Sequence, residues 1–376
     1  MRPGENVLAQ RGTGSRRSIR GTVAGLVQRR VVIGSTSQLA THALGRGSSR
    51  DDRALAAFLG LALGDALGMA TQSMSSRDIA TDYGLITGFL DAGPRQRIAH
   101  GMRAGSITDD TEQAVLLAKL LVEHDGAVPA ATLADELLRW EQRMADRGSL
   151  DLLGPSTKAA LVRLADGVPA DEAGRFGTTN GAAMRITPVG ISVDVSDLSL
   201  FVDAVVAASQ VTHNTSLGLA AAAAVGAAVS AGVGGADRHD ALTVAVAAAE
   251  LAEHRGHWVA GGTIAARLRW ALPYLRGLPG DRRPAAVSDV IGTSVASQES
   301  VVAALALVSV AEDPWATLCL AAGLGGDTDT VAAMAGAVLG SLGGTAVWPA
   351  AEVATLERVN ELDLAALGEA LLALRG

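Results

Sequence analysis

Residues 323–341 read GLGGDTDTVAAMAGAVLGS. Two glycines lead into two aspartates interleaved with two threonines, and behind them runs a stretch of small apolar residues. Asp and Thr favour helix N-termini and Gly lets a chain bend, so a helix starting near Asp327 is the local expectation. Far upstream, GSITDDTEQAVLLAKLLVEHDG (105–126) repeats the arrangement ahead of an aliphatic helical pattern. With Thr108 as N-cap, Asp109 and Asp110 fall in the first turn, where the helix dipole favours them. Taken singly, each motif reads equally well as a cap or as a cation site. The pair says more, because each supplies two carboxylates and flanking hydroxyls before a helix able to pack closely. If the two starts meet, four carboxylates converge, a repulsive arrangement unless cations join them. Mg²⁺, Mn²⁺ and Ca²⁺ prefer such oxygen ligands, and two ions fit the donor count. Zinc is disfavoured: His254 and His257 in HRGH form a pair with no third ligand close by.

Outward from these motifs, nearly every segment beyond about Arg53 has helical character. In RALAAFLGLALGDALGMA (53–70), Gly60, Gly64 and Gly68 recur at every fourth position on one face. Glycine there costs helix propensity, so another helix or a ligand must approach that face closely. Helical stretches are also expected at 130–145, 157–166, 198–212, 241–255, 259–275, 300–312 and 315–324. No alternating strand pattern, phosphate loop or strand-based dinucleotide fingerprint occurs. The 376 residues include 49% hydrophobic but only 3% aromatic side chains, so the core must be made of Ala, Val, Leu and Gly. Such small side chains suit closely packed helices better than a sandwich of sheets. The expectation is one all-α domain over 51–376.

Residues 1–50 carry nine arginines and one acid, Glu5, a formal +8 against −8 for the whole chain, which leaves −16 on residues 51–376. The leader is expected to be a disordered basic extension outside the fold. An acidic body without a basic stripe argues against a nucleic-acid groove. Cys319 is the only cysteine, which excludes an internal disulfide and a cysteine-based zinc site. A reducing compartment, the cytoplasm, is the simplest setting. The apolar run 217–235 approaches membrane-spanning length, but it is weakly hydrophobic and lacks aromatic anchors, so a buried helix and a soluble protein are expected.

Five motifs now stand in order: LGDALG (63–68), TDDT (108–111), NGAAMRITPVG (180–190), VTHNTS (211–216) and GGDTDT (325–330). Their sequence and spacing resemble the ADP-ribosylglycohydrolase family, which includes enzymes that remove ADP-ribose from modified arginine or serine and a dinitrogenase-reductase-activating member. The resemblance runs from about residue 55 to 372. LGPSTKAAL (153–161) and GTSVASQESVVAALAL (292–307) look more like an uncharacterised bacterial subgroup of that family. It implies a compact orthogonal all-α helical bundle with two Mg²⁺ or Mn²⁺ ions in a cleft. The implied ligands are Thr108, Asp109, Asp110, Asp327, Asp329 and Thr330, with Asp109, Asp110 and Asp327 as the catalytic acids. The implied substrate pocket is formed by Asp65, Gln72, Asn180, Gly181, Ala182 and His213, with Asp65 acting behind the metals and His213 meeting ribose or adenine. Met184 is expected to pack and Arg185 to be a buried ion-pair partner.

One position departs from the family pattern. Many members carry a glutamate eight residues after the glycine matching Gly64; here that position is Gln72, in GMATQSMSS. An amide holds a hydroxyl or a water but does not accept a proton as a general base. Asp151, one position out of register with an aspartate of some relatives, is a weak substitute. The resemblance therefore implies a metal-dependent hydrolase that cleaves the C1′-glycosidic bond of an ADP-ribosyl group or a simpler riboside. The substrate would be an ADP-ribosylated protein or a small riboside, and the oligomeric state is not predicted. The alternative is a non-catalytic ADP-ribose- or metal-binding member, crystallin-like, as Gln72 would suggest. A third reading, a phosphohydrolase, would need His-Asp ligand sets and basic clamps that neither motif provides.

Overall fold

Ser49 caps helix α1 (Arg50–Gly68): its hydroxyl oxygen accepts the Asp52 N–H at 3.1 Å. The computed structural model describes residues 48–147 and 153–375. Of the basic extension expected over 1–50, residues 1–47 lie outside the described residues, as does Asp151. Ser48, Ser49 and Arg50, which the sequence boundary assigns to the extension, belong to the helical body: Ser48 Oγ donates to the Gly343 carbonyl at 3.3 Å.

The body is all-α, as expected. After α1 come α2 (Ser76–Asp82), α3 (Asp109–Glu123), α4 (Ala130–Asp146), α5 (Pro155–Ala165) and α6 (Ala170–Ala173). Then follow α7 (Gly181–Met184), α8 (Thr187–Ser192), α9 (Leu198–His213), α10 (Ser216–Val233), α11 (Arg238–Ala252) and α12 (Ile264–Arg276). The chain continues through α13 (Arg283–Ala286), α14 (Ser297–Val310), α15 (Pro314–Gly323), α16 (Thr328–Gly343), α17 (Ala350–Asn360) and α18 (Leu364–Ala373). The stretch expected to be helical from residue 259 becomes so only at Ile264, because Gly261 and Gly262 precede Thr263, whose hydroxyl accepts the Ala266 N–H.

The glycine stripe of α1 meets a helix, not a ligand. A Cβ at Gly60, Gly64 or Gly68 would overlap backbone of Gly336, Ala332 or Asp329, all on α16. The reverse holds for Gly336 and Gly340, whose Cβ atoms would strike the carbonyls of Gly60 and Ala56. Two helices in backbone contact give up side-chain area but gain dense dispersion contacts along their length. This contact fixes where the N-terminus of α16 lies relative to α1, and therefore where Asp327 and Asp329 lie relative to Asp65.

Helix α10 is long and apolar enough to cross a bilayer, yet every one of its residues is buried against other helices. It packs on α8, α9, α11, α14 and α16, as the alanine-rich composition requires. The strand content missed by the sequence pattern is a two-residue antiparallel pair, Met74–Ser75 with Gly325–Gly326. So short a pair leaves no periodicity to read. It rests on three left-handed residues, Ser73, Gly325 and Gly326, with φ of 59°, 83° and 80°. The two glycines before Asp327 are thus explained, since this conformation strains most L-residues.

Candidate functional site

Helix α3 is held at its start from outside. Thr108 is its N-cap, but the Thr108 side chain does not bond to its own helix. Instead the Asp65 carboxylate, on α1, accepts the N–H groups of Thr108 (3.0 Å) and Thr111 (3.1 Å). It also accepts both hydroxyls, from Thr108 at 2.7 Å and Thr111 at 2.6 Å. Asp65 therefore does the capping that the motif was expected to do for itself. The consequence is that Thr108 Oγ1 spends its proton on Asp65 and keeps its lone pairs, and the Asp109 and Asp110 carboxylates are not consumed as caps.

The start of α16 is built differently. Thr71 and Thr328 exchange a buried hydroxyl hydrogen bond at 2.9 Å, and the Ser73 N–H donates to the Gly326 carbonyl at 2.7 Å. These contacts pin the Gln72 segment against the loop that carries Asp327. Asp327 is the N-cap of α16, again without a side-chain bond to its own helix. Its Oδ2 accepts from Asn180 Nδ2 at 2.5 Å, and Asn180 Nδ2 also reaches Ser300 Oγ at 2.9 Å. Capping alone thus fails to explain either acidic start.

The two starts meet. The Thr330 hydroxyl on α16 donates to Asp110 Oδ2 on α3 at 3.3 Å. Burial, reinforced by the charges of Asp65 and Asp327, holds the Asp109 carboxyl well above the usual carboxylate range. Burial likewise raises Asp110 and Asp329, each with further aspartates adding to the effect, and raises Asp327 despite the hydrogen bond from Asn180. Asp65 is pushed up to about 6 by burial, against the four hydrogen bonds that favour its charged form. Five aspartates share one dry region, and Asp110 Oδ1 and Asp329 Oδ1 have no hydrogen-bond partner there. An unpaired buried carboxylate oxygen is costly, and a group of them is a strong signal of a missing counter-charge. Glu112, the next acid of α3, stands apart from this set and is held by Trp140 Nε1 (2.7 Å) and Arg147 (3.0 Å).

The sequence profile of the ADP-ribosylglycohydrolase family matches residues 46–376. The chain belongs to the ADP-ribosylglycohydrolase family. It is 34% identical to the protein YegU of Escherichia coli over 316 residues, covering 84% of this chain and 94% of that one. It is 32% identical to ADP-ribosyl-[dinitrogen reductase] glycohydrolase of Rhodospirillum rubrum over 193 residues, covering 50% of this chain and 60% of that one. Among solved structures it is similar to a chain of an ADP-ribosylglycohydrolase-related protein complex, with a TM-score of 0.66 and 26% identity, covering 87% of this chain and 99% of that one.

Members of the ADP-ribosylglycohydrolase family generally use divalent metals, and the residues here fit such ions in chemistry. The donors are all oxygens, the two orphaned carboxylate oxygens lack any other partner, and the raised proton affinities are what a cation would reverse. They are not pre-set in geometry: among the described residues, no three Asp, Glu, His or Cys groups already surround one point. The reason is visible in the hydrogen bonds. Asp109 leans on Gln113 Nε2 (3.4 Å), Asp327 on Asn180 and Asp110 on Thr330, so ion binding would require side-chain rotation.

Several residues expected from the family resemblance to line the substrate pocket are buried and hydrogen-bonded within the protein. His213 is fully buried, and both ring nitrogens are occupied, Nδ1 by Thr212 Oγ1 (2.7 Å) and Nε2 by Thr179 Oγ1 (3.1 Å). Its ring lies against Gly181, and it supports the 179–181 segment. Burial and the Arg185 charge hold its pKa well below the ordinary value, so it is neutral. Ala182 is also fully buried. Both Asp65 oxygens are taken up by Thr108 and Thr111 at the start of α3. Arg185 is buried as expected, but its partners are neutral: Gln113 Oε1 at 3.0 Å and Thr212 Oγ1 at 2.6 Å. Met184 packs in the core. Gln72 is 6% exposed, with its Nε2 unpartnered beside the α16 loop. Gln113 and Thr212 were invisible to motif reading, although Gln113 stands one helical turn after Asp109, where an amide commonly reaches back.

Proposed function

We propose that this chain is a divalent-metal-dependent hydrolase that removes an ADP-ribosyl group, or a related riboside, by cleaving the bond at C1′. The observation that carries the reading is the convergence of two acidic helix starts, with orphaned oxygens on Asp110 and Asp329, in a member of the ADP-ribosylglycohydrolase family. Thr108, Asp109, Asp110, Asp327, Asp329 and Thr330 would hold two Mg²⁺ or Mn²⁺ ions. When bound, such ions supply Lewis-acid polarisation and a template for vicinal hydroxyls and a water. The protein's part is to orient and to exclude solvent. Asp65 fixes the α3 start, the α1–α16 contact fixes the α16 start, and Asn180 sets the Asp327 rotamer. Asp109 and Asp327 keep more exposure than Asp110 and Asp329, and they would face the substrate and stabilise positive charge developing at C1′.

Gln72 offers an amide to a hydroxyl or water at the rim and takes no proton, so proton acceptance in this site falls to an aspartate. The working unit is residues 51–376 with the short lead-in from Ser48, acting in the cytoplasm on an ADP-ribosylated protein or a small riboside. The test is release of ADP-ribose from arginine-linked and serine-linked ADP-ribosyl peptides and from simple ribosides, with Mg²⁺ or Mn²⁺ and with chelator. Release that needs the cation and is lost in Asp109→Ala and Asp327→Ala supports the reading. Cation-dependent binding of ADP-ribose without turnover of any substrate would favour a binding protein, the role Gln72 admits.

A further inference from the structure

Far from the acidic centre, one arginine is left without a partner. Arg238 stands in the first turn of α11, where the helix dipole disfavours a cation. Its side chain is partly buried, and its Nε is shut off from solvent with no hydrogen-bond partner. Burial lowers its pKa, and no carboxylate offsets that cost. The neighbouring arginines are spent differently. Arg53 Nε donates to the Val233 carbonyl at 3.1 Å and Arg375 Nη2 to the Ser230 carbonyl at 2.9 Å, which satisfies the C-terminal end of α10. Arg375 also pairs with Asp194 at 2.9 Å.

Arg238 borders a cavity of about 380 Å³ together with His239 and Leu242 of α11, Arg276 of α12, Ser309 of α14 and Leu342 of α16. Arg276 anchors its Nε on the Leu272 carbonyl of its own helix at 3.2 Å. One acid, Asp237, also borders the cavity, and its Oδ1 already accepts the Asp240 N–H at 2.9 Å. Two guanidiniums and an imidazole therefore share one small space with a single acid, in a body that is otherwise strongly acidic. Like charges so placed repel unless an anion joins them. The space continues into a second cavity of about 440 Å³, which shares His239, Leu242 and Arg276 and runs over Val246, Leu272 and Pro273. Glu250 also borders this second cavity and is paired with Arg269. The length of α16 from Thr328 to Leu342, about 21 Å at the helical rise, separates the groove from the acidic centre.

We propose that this groove between α11 and α12 is a second binding site, for a small phosphate monoester whose anionic oxygens are gripped by Arg238 and Arg276 and whose apolar substituent lies over Leu242, Val246 and Leu272. The anion offsets the unpaired charge, supplies the negative group that the start of α11 favours, and gives Arg238 the acceptors that the fold withholds. Guanidinium groups suit it because their planar forks match the oxygens of a phosphate. The apolar floor favours an aliphatic or aromatic substituent, and Glu250 disfavours a second anionic end. Arg238 is set into a cavity, which suits a soluble molecule that enters rather than a flat anionic surface.

The experiment is a calorimetric titration of n-hexyl phosphate and of inorganic phosphate into the full-length protein, with chelator present so that no ion bridges phosphate to the acidic centre. Wild type is expected to bind one hexyl phosphate, about tenfold or more tighter than inorganic phosphate because part of the chain is buried. Arg238→Gln and Arg276→Gln should each weaken hexyl phosphate by about tenfold or more, with helical content retained by circular dichroism. Arg276 is the more exposed of the two, so Arg276→Gln carries the test if Arg238→Gln does not fold. Asp109→Asn should leave hexyl phosphate binding unchanged, which separates this site from the acidic centre. No binding of hexyl phosphate, binding undiminished in both arginine variants, or equal binding of hexyltrimethylammonium would overturn the proposal. So would capture by vesicles of anionic phospholipid without binding of the soluble ester. None of these readouts involves release of ADP-ribose, so each can fail while the proposed function stands, and the reverse.

Discussion

The Asp65 carboxylate and the Thr108 hydroxyl, 43 residues apart, are joined by a buried 2.7 Å hydrogen bond. Asp65 sits in the last turn of α1, the helix whose glycines also receive α16, so one helix locates both acidic starts. Removing that carboxylate should therefore damage the centre without touching a proposed ion ligand. Asp65→Ala leaves two N–H groups and two hydroxyls without their acceptor, a loss of about 2–4 kcal/mol by the usual cost of unsatisfied buried donors. Urea denaturation should report that loss, and Mn²⁺ titration should show weakened ions even in the folded fraction. Asp65→Asn, which keeps one acceptor oxygen, should fall between.

The α1–α16 contact makes a separate prediction. Gly64→Val places a branched side chain where the Ala332 carbonyl and the Ala333 amide already lie. Two close-packed helices cannot part locally without shifting Asp327 and Asp329, so destabilisation of about 3 kcal/mol or more is expected, together with weaker ion binding. Gly126→Ala, where nothing lies within reach of a new Cβ, carries only the cost of its left-handed backbone and should leave ion binding unchanged.

The acid cluster also sets the sign of the pH dependence. Asp65 is raised in the fold from 3.8 to about 6, so between those values the native state binds more protons than the unfolded chain. Stability of the ion-free protein must then fall as pH rises from about 4 to 6, by about 3 kcal/mol from this group alone, and stay low at neutral pH. The other four carboxyls are shifted in the same direction and add to the trend. Mg²⁺ should reverse it, stabilising at neutral pH and losing its effect in acid as protons compete for the oxygens. Urea midpoints measured across this range with chelator and with Mg²⁺ would check both slopes.

Much of this was legible in the sequence, and the limits have physical causes. The helices, the paired acidic starts and the close approach on the Gly60–Gly64–Gly68 face follow from local periodicity and from residue types with narrow uses. The partner of that face did not, because a glycine stripe says that something comes near but not what. The cap positions were legible but the cap bonds were not, for a similar reason: Thr108 and Asp327 are the N-caps of their helices, yet a remote carboxylate and a remote amide took up their side-chain bonds. His213 looked like a ligand contact by its motif, and only the positions of Thr212 and Thr179 reveal that both nitrogens are spent. Arg185 was expected to pair with an acid, and the structure gives it an amide and a hydroxyl. Each of these turns on contacts between segments more than twenty residues apart, apart from the Thr212 neighbour, and no local pattern encodes them.

The most direct test of the central claim is isothermal titration of ADP-ribose into the full-length protein with Mg²⁺ and with chelator, repeated in Asp109→Asn and Asp327→Asn. The account predicts binding that requires Mg²⁺ and is lost in both variants while their helical content is retained. Binding of equal strength in chelator, or undiminished binding in the two variants, would show that the ligand does not rest on the acidic centre and would contradict the account.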